Sequence, residues 1–504
     1  MPRPRANSLA YAPALLIGAL AAIARADEGY FSGTKGARAA GRAGAFSARA
    51  DDLSATTTNP AGLARIGGTQ LQLGNRLSYN SQEFVRAPTL DWGNVEDGVP
   101  PYVEFAAVHN QQPWQALEPM LGVASDLGLR DWAFALTIQA PAGIGRMKFP
   151  VDGGQRYMMV SRDARILNYT GSVAWKSGDV FGVGASVQWI DVPRLRYQLV
   201  IDGNRFPGEV NPVRSELDML ATIEGSDPFT LQAVVGAWYR PQPFLDLAFS
   251  VQFLPSEITT DSRLSIEPLN PNIDETVRLT RAGAPANDVR LKLPLPIVAR
   301  AAIRYRQLRG AGLARDASPR REREVFDVEL DVVYESWSRV RSFSLDGDGL
   351  VANLLGQRVD VGTIAIPKAW RDTLSVHIGG DFAAIPDWLT LRGGVFYATA
   401  VAPASHAHVD FVSGTQLGAA LGVSIQLFGS ELALAYEYVH QPSFSVGEGD
   451  ARVYQEVPGS QCEAPYTDPD RCHPQYLGQP SPAVNAGSYR AHTHAVSVDL
   501  LHHF

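Results

Sequence analysis

The chain reads as all-β, a transmembrane antiparallel β-barrel of about 14 strands. Three observations lead there. From residue 69 to the C terminus, short segments alternate apolar residues with small or polar ones. Turns at one end of these segments are tight, while those at the other end are long. After the first 26 residues, no stretch offers the ~18 uninterrupted apolar residues of a spanning helix.

In chain order, the first element is a leader. Arg3 and Arg5 precede an apolar run over 9–23, and Ala24-Arg25-Ala26 is a small-x-small cleavage pattern, so residues 1–26 are expected to be removed as a signal peptide. Losing Arg3, Arg5 and Arg25 takes the net charge from −8 to −11, which argues against a nucleic-acid partner. Next comes RADDLSATTTNPAGLARI (49–66), too polar to span a membrane and too small-sided to build a core.

The strands then follow. TQLQLGNRLSY (69–79) opens the series and RDWAFALTIQ (130–139) continues it. Residues 168–192 read as a hairpin turning at Ser177-Gly178-Asp179, and 229–255 as one turning through Pro241-Gln242-Pro243. The pattern continues to HAVSVDLLHHF at the C terminus. A soluble sandwich or propeller also alternates. The long connections expected at 194–228, 256–288 and 441–484 favour a barrel. So do the segment-end aromatics Trp132, Trp175, Trp189, Trp238, Tyr239 and Trp388, expected to form a girdle. Phe504 on a final amphipathic strand is the ending expected of a chain handled by the barrel assembly machinery. A strand spans with ~9–11 residues, which leaves ample chain for outer loops. The basic insert 306–324 reads as a connection on the tight-turn side. Cys462 and Cys472 lie in a Pro-rich polar stretch, where a disulfide closing a surface loop is expected rather than a metal site.

Several segments together carry a family likeness. GTKGARAAGRAGAFSARADDLSATTTNPAGLARI (33–66), the Ala-Pro-x-Gly after the strand in 119–145, RYMMVSRDARILNYTGSVAWKSGDVFGVGASVQ (156–188), Trp-x-Asp at 370–372 and Asn-x-Gly-x-Tyr at 485–489 occur in order. In these features the sequence resembles the FadL/TodX outer-membrane transporters of long-chain fatty acids and other hydrophobic compounds. The resemblance implies three parts: the signal peptide 1–26, an N-terminal hatch over 27–68 that plugs the lumen, and a barrel over 69–504. It implies passive transport of a fatty acid or hydrocarbon without a cofactor. Cargo would bind in apolar outer pockets and leave sideways through a gap beside a kinked strand when the hatch shifts. Outer-membrane lipid and lipopolysaccharide are the expected surroundings, and a monomer the expected state.

On that reading Asn59, Pro60 and Ala61 are the candidate gating bend. Its small hydroxyls and Asn supply hydrogen bonds inside a polar cavity, and Pro60 stiffens the turn. The irregular strand beside the gap is placed at 156–165, where an inward Arg156 or Arg162 would meet a carboxylate head; Arg165 belongs to the same stretch. Pairing with lumen acids or snorkelling is the plainer role for each. Met147, Phe149, Met158 and Met159 are the candidate pocket residues, with ordinary loop packing as the alternative.

Two other function classes compete: an outer-membrane enzyme, lipase-like, and a general porin. An enzyme needs a nucleophile with a base in reach; His492, His494, His502 and His503 have no evident Ser or Asp partner. His492 and His494 share a strand face as interfacial residues or, less simply, metal ligands. Asp346-Gly347-Asp348-Gly349 reads as a turn rather than a calcium loop. A porin has no use for the polar N-terminal segment.

Overall fold

The computed structural model describes residues 36–90, 102–141, 145–202, 215–253, 257–273, 277–309, 324–354, 357–411, 413–454 and 483–504. The expected signal peptide, both cysteines and most of the 306–324 insert lie outside the described residues.

Fourteen antiparallel strands close on themselves. They are β1 (Thr69–Arg86), β2 (Trp114–Ser125), β3 (Trp132–Gln139), β4 (Ser161–Ser177), β5 (Phe181–Ile201), β6 (Met219–Gln242) and β7 (Leu245–Phe253). The second half comprises β8 (Val298–Leu308), β9 (Glu324–Glu335), β10 (Thr373–Ile385), β11 (Leu389–Ala398), β12 (Gln416–Leu427), β13 (Ser430–Val446) and β14 (Gly487–His503). Each pairs with the next, and β14 returns to β1 from Gln70↔His503 to Arg86↔Gly487. Closure leaves the ring of fourteen strands without a first or last strand, so the backbone of its wall pairs without water, as a lipid environment demands.

The alternation in the sequence becomes two faces. On β14, Val496, Val498 and Leu500 are exposed outward, whereas Ala495, Ser497, Asp499 and Leu501 are buried inward. On β3 the exposed row is Trp132, Phe134, Leu136 and Ile138. This apolar outer band is the lipid-facing belt of an outer-membrane barrel. Trp132, Trp189, Tyr239 and Trp388 are exposed as a girdle requires, but Trp238 is not. Period two puts Trp238 on the opposite face from Tyr239, so its indole enters the lumen. His492 and His494 lie beside Tyr438, and the Tyr436 hydroxyl is 2.7 Å from His494 Nδ1, an interfacial aromatic cluster. Among the described residues no set of His, Cys, Asp or Glu is placed to hold a metal ion.

The tight turns are as the sequence suggested. β4 and β5 join through Gly178, and β12 and β13 through Phe428-Gly429, all at positive φ. The other end differs from expectation. The described residues of 194–228 and 256–288 are largely strand: β5 runs to Ile201, β6 starts at Met219, and a strand follows at Glu257–Pro268. That last strand pairs with the upper part of β6 and with Asp288–Pro294, continuing through Ser342–Leu354 to Gln357–Pro367. The reason is visible in the residues, because Leu220, Thr222 and Glu224 still alternate with buried Met219, Ala221 and Ile223. The Asp346–Gly349 stretch lies inside this extension at a register shift, with Asp348 N–H donating to Asp346 Oδ1.

Candidate functional site

Residues 36–66 occupy the lower lumen. Helix α1 (Ala37–Ala40) contacts β12, β13 and β14, whereas the 3-10 turn Pro60–Arg65 contacts β4, β5 and β6 on the opposite wall. Only small side chains permit this. Cβ atoms on Gly184, Gly236, Gly379 and Gly394 would lie 2.1–2.5 Å from atoms of Asn59, Pro60, Ala61 or Arg42, so the wall is glycine where the segment presses on it.

The segment is held by charge. Arg42 is fully buried and meets three carboxylates, Asp327 and Asp381 at 2.7 Å and Glu329 at 2.9 Å, while its Nε donates to Ala45 O. Arg49 adds a 2.7 Å pair to Asp327. Backbone N–H groups of Phe46 and Ser47 donate to Asp331, and that of Ala48 to Glu329. At the front end Ala37 N–H donates to Asp499 at 2.7 Å. The Phe46 ring lies against the guanidinium groups of Arg38 and Arg42 at 5.5 and 5.8 Å. Leu53 and Leu63 pack with Met120, Ala124, Ala133, Ala135 and Ala174.

The Asn-Pro-Ala bend is tied at both ends. Asn59 accepts from Ala61 N–H, capping the 3-10 turn, and its amide donates to Ser47 O at 2.9 Å and Ala237 O at 3.3 Å. Trp238 Nε1 donates to Ala61 O at 2.9 Å, and Arg65 stacks on the Trp238 ring at 4.2 Å. Below the bend, at the tight-turn end, is a cavity of about 800 Å³ whose lining includes Arg38, Arg49, Arg65, Asp327, Asp381 and Arg392. Charged side chains share its lining with Trp238, Phe326 and Trp388.

The upper lumen differs. Phe84, Met147, Phe149, Met158, Met159, Ile190, Met219, Leu264, Leu291, Trp337, Phe343 and Trp370 belong to one buried apolar cluster. All four candidate pocket residues, Met147, Phe149, Met158 and Met159, fall in it. Motif residues shape it: Asn485 donates to Ser405 O and Ala407 O, and the Tyr489 hydroxyl to Asn485 O at 2.8 Å. Asp372 fixes the corner after Trp370 by accepting from Tyr334 Oη and Ser338 N–H.

Within this apolar surround sits a small polar group that sequence reasoning found only in part. Lys368 is fully buried and pairs with Asp410, and His408 Nδ1 lies 2.7 Å from the same carboxylate. Burial opposes ionisation of Asp410, but His408 and Lys368 overcome it and hold the carboxyl well below its usual range. Burial also pushes the Lys368 ammonium and the His408 imidazole down, against the pull of Asp410. Arg162 is buried beside them. Its Nη1 donates to the Asp410 backbone carbonyl at 2.6 Å, its plane lies 4.4 Å from the Phe411 ring, and its Nε has no partner. It forms no ion pair with a carboxylate among the described residues. Met147 stands opposite Arg162 in the ladder.

The other arginines of the predicted stretch differ. Arg156 is satisfied by Asp218 at 2.8 Å and by the Tyr157 hydroxyl at 2.8 Å, and Arg165 is exposed. Nor is 156–165 the broken strand: 161–163 pair on both sides, with one register shift between Arg165 and Leu167. The interruption is in the third strand. β3 leaves β4 at Gln139↔Asn168, and pairing resumes only at Arg146↔Asp163. Pro141, which has no N–H to donate, begins the break. The Ala-Pro-x-Gly pattern carried that signal.

Neither a family model nor a curated protein matches the sequence. Solved structures do match its fold. A FadL homologue from Pseudomonas aeruginosa is 16% identical with a TM-score of 0.68, over 95% of this chain and 100% of that one. The toluene transporter TodX of P. putida is 13% identical with a TM-score of 0.56, over 90% and 94%. The Ralstonia pickettii toluene transporter TbuX is 14% identical with a TM-score of 0.54, over 93% and 98%. The fold is that of the FadL/TodX barrels.

Proposed function

We propose that the protein is a passive outer-membrane channel for hydrophobic molecules, and that its preferred cargo is a long-chain carboxylate. The observation that carries this reading is Arg162: a buried guanidinium without a carboxylate partner, set in an apolar cluster beside the Lys368–Asp410 pair. A carboxylate head completes it with a charge-assisted hydrogen bond, while each buried CH₂ of the tail contributes ~0.8 kcal/mol. The FadL homologue and the toluene transporters share the barrel, which supports a hydrophobic cargo.

Residues 36–66 act as the hatch, with Asn59, Pro60 and Ala61 as its moving bend. The charged cavity beneath them is a poor path for an apolar chain. Cargo therefore leaves sideways, where β3 parts from β4 after Gln139↔Asn168, when the bend shifts. Met147 and Phe149, immediately after the break, would be the last apolar contacts before exit.

The test uses the purified protein in liposomes with labelled oleate, toluene and a small sugar. Saturable oleate uptake with sugar excluded is expected, and Arg162→Gln should slow oleate while leaving toluene unchanged. Sugar flux through the intact protein would make it a porin. Equal effects of the variant on oleate and toluene would remove the carboxylate assignment.

A further inference from the structure

A second buried cation in the upper lumen also lacks an ion-pair partner among the described residues. Arg86 ends β1 and is 2% exposed. It shares the inward face of Phe84, whose ring packs 4.8 Å from Tyr489. The Arg86 guanidinium lies 4.9 Å from the Phe105 ring centroid and 6.0 Å from that of Tyr157. Its one side-chain hydrogen bond is long, from Nη1 to Gly154 O at 3.5 Å, and its Nε and Nη2 have none. The adjacent Arg156 has taken Asp218, so that acid is already committed. Glu448, on an exposed turn, attracts Arg86 through space but makes no ion pair with it. A guanidinium held this way has lost water without gaining a counter-charge, so it favours any anion that reaches it.

Arg86 is joined to the Arg162 site by a short run of contacts. Tyr157 lies next to Arg86, and Met158 follows it in the chain. The Met158 carbonyl accepts from Tyr197 Oη at 3.1 Å, and Tyr197 stands opposite Arg162 in the β4–β5 ladder. Tyr489 Oη lies 3.9 Å from Met158 Sδ. Two incompletely paired guanidinium groups thus border one apolar cluster, with Met158 touching the surroundings of both. A cargo with one carboxylate satisfies one of them and leaves the other bare.

We propose that Arg86 is a second anion-binding position bordering the same apolar cluster as Arg162, and that this part of the lumen takes amphiphiles with a carboxylate at each end of an apolar body, the α,ω-dicarboxylic acids. This rests on the reading of the upper lumen as the cargo site with Arg162 as its first carboxylate position. Recognition needs both charges and a body that spans them, so affinity depends on chain length, peaking where the two heads reach both guanidinium groups.

The experiment is equilibrium binding to the purified full chain in detergent, comparing diacids from suberate to octadecanedioate with the monoacids of equal length. One diacid length is expected to bind about tenfold tighter than its monoacid, the size of one charge-assisted hydrogen bond. Arg86→Gln should erase that advantage while leaving palmitate affinity within about twofold. Arg162→Gln should weaken both classes. Arg86→Lys keeps the charge and should retain part of the diacid preference, which guards against a Gln variant that fails to fold. No preference at any length in the wild type, or an equal loss of palmitate and diacid in Arg86→Gln, overturns the proposal. Palmitate that does not bind, or binds equally well when Arg162 and Arg86 are both Gln, defeats instead the carboxylate reading beneath it.

Discussion

Arg42 in the lower lumen and Arg162 and Arg86 in the upper are buried in opposite ways. In the lower half Arg42 reaches three carboxylates and a carbonyl, and Arg49 shares Asp327 with it. In the upper half Arg162 and Arg86 reach, among the described residues, backbone carbonyls and aromatic faces and no carboxylate within ion-pair distance. A buried ion pair that is complete holds two pieces of chain in one arrangement. A buried cation that is incomplete favours whatever anion arrives. The first is a latch and the second a receptor, although both use the same side chain.

Breaking the latch should have the largest effect. Arg42→Met removes the cation that Asp327, Glu329 and Asp381 share and leaves Glu329 buried without an ion-pair partner among the described residues, a change worth about 3–5 kcal/mol. A lower melting temperature and sugar leakage in a liposome swelling assay are expected; intact sugar exclusion would mean the lattice does not close the lumen. A steric version of the same test is Gly236→Ala, whose Cβ would sit 2.1 Å from Asn59 Oδ1. Overpacking there is worth about 1–3 kcal/mol and should displace the bend, read as sugar leakage. Gly393→Ala, whose nearest neighbour would be 3.8 Å away, should not leak.

The receptor side gives smaller and more selective effects. Arg162→Gln should weaken oleate binding about tenfold, the loss of one charge-assisted hydrogen bond, with toluene binding unchanged by calorimetry. The smallest effect belongs to pH. His408 has its folded pKa below the ordinary 6.5, so the unfolded chain binds this proton more readily. Stability from this group is therefore present above pH 6.5 and lost as pH falls below it. Asp410, depressed from 3.8, contributes stability that persists above that value, so it is silent between pH 4 and 6.5. In that window His408→Asn should flatten the fall in melting temperature; an unchanged slope would assign it to other groups.

Much of this was legible in the residues, for identifiable reasons. Strand alternation survives in any single segment, which is why the belt on β3 and β14 could be read directly. The polar, glycine-rich stretch before β1 was recognisable as something that avoids both lipid and a core. The same rule applied to 219–226 would have turned an expected loop into a strand, since Leu220, Thr222 and Glu224 keep period two. Trp238 stands at a segment end like the girdle aromatics, but its phase, opposite to that of Tyr239, turns it into the lumen. The partners of Arg42 were not legible, being Asp327, Glu329 and Asp381, nearly three hundred residues or more away. Lys368 and Asp410 lie in connections with no periodicity to mark them.

By itself, the sequence determined that strands would form, which face of each would meet lipid, and that the first described segment would be polar and small. Those properties depend on neighbours one or two residues apart, and a two-residue period is carried locally. The tertiary structure alone decided which charges are cancelled and which are left open. That depends on distances between strands far apart in the chain, and closure of the barrel sets them. Arg42 and Arg162 are the same residue type in the sequence; one lies among three acids and the other among aromatic rings.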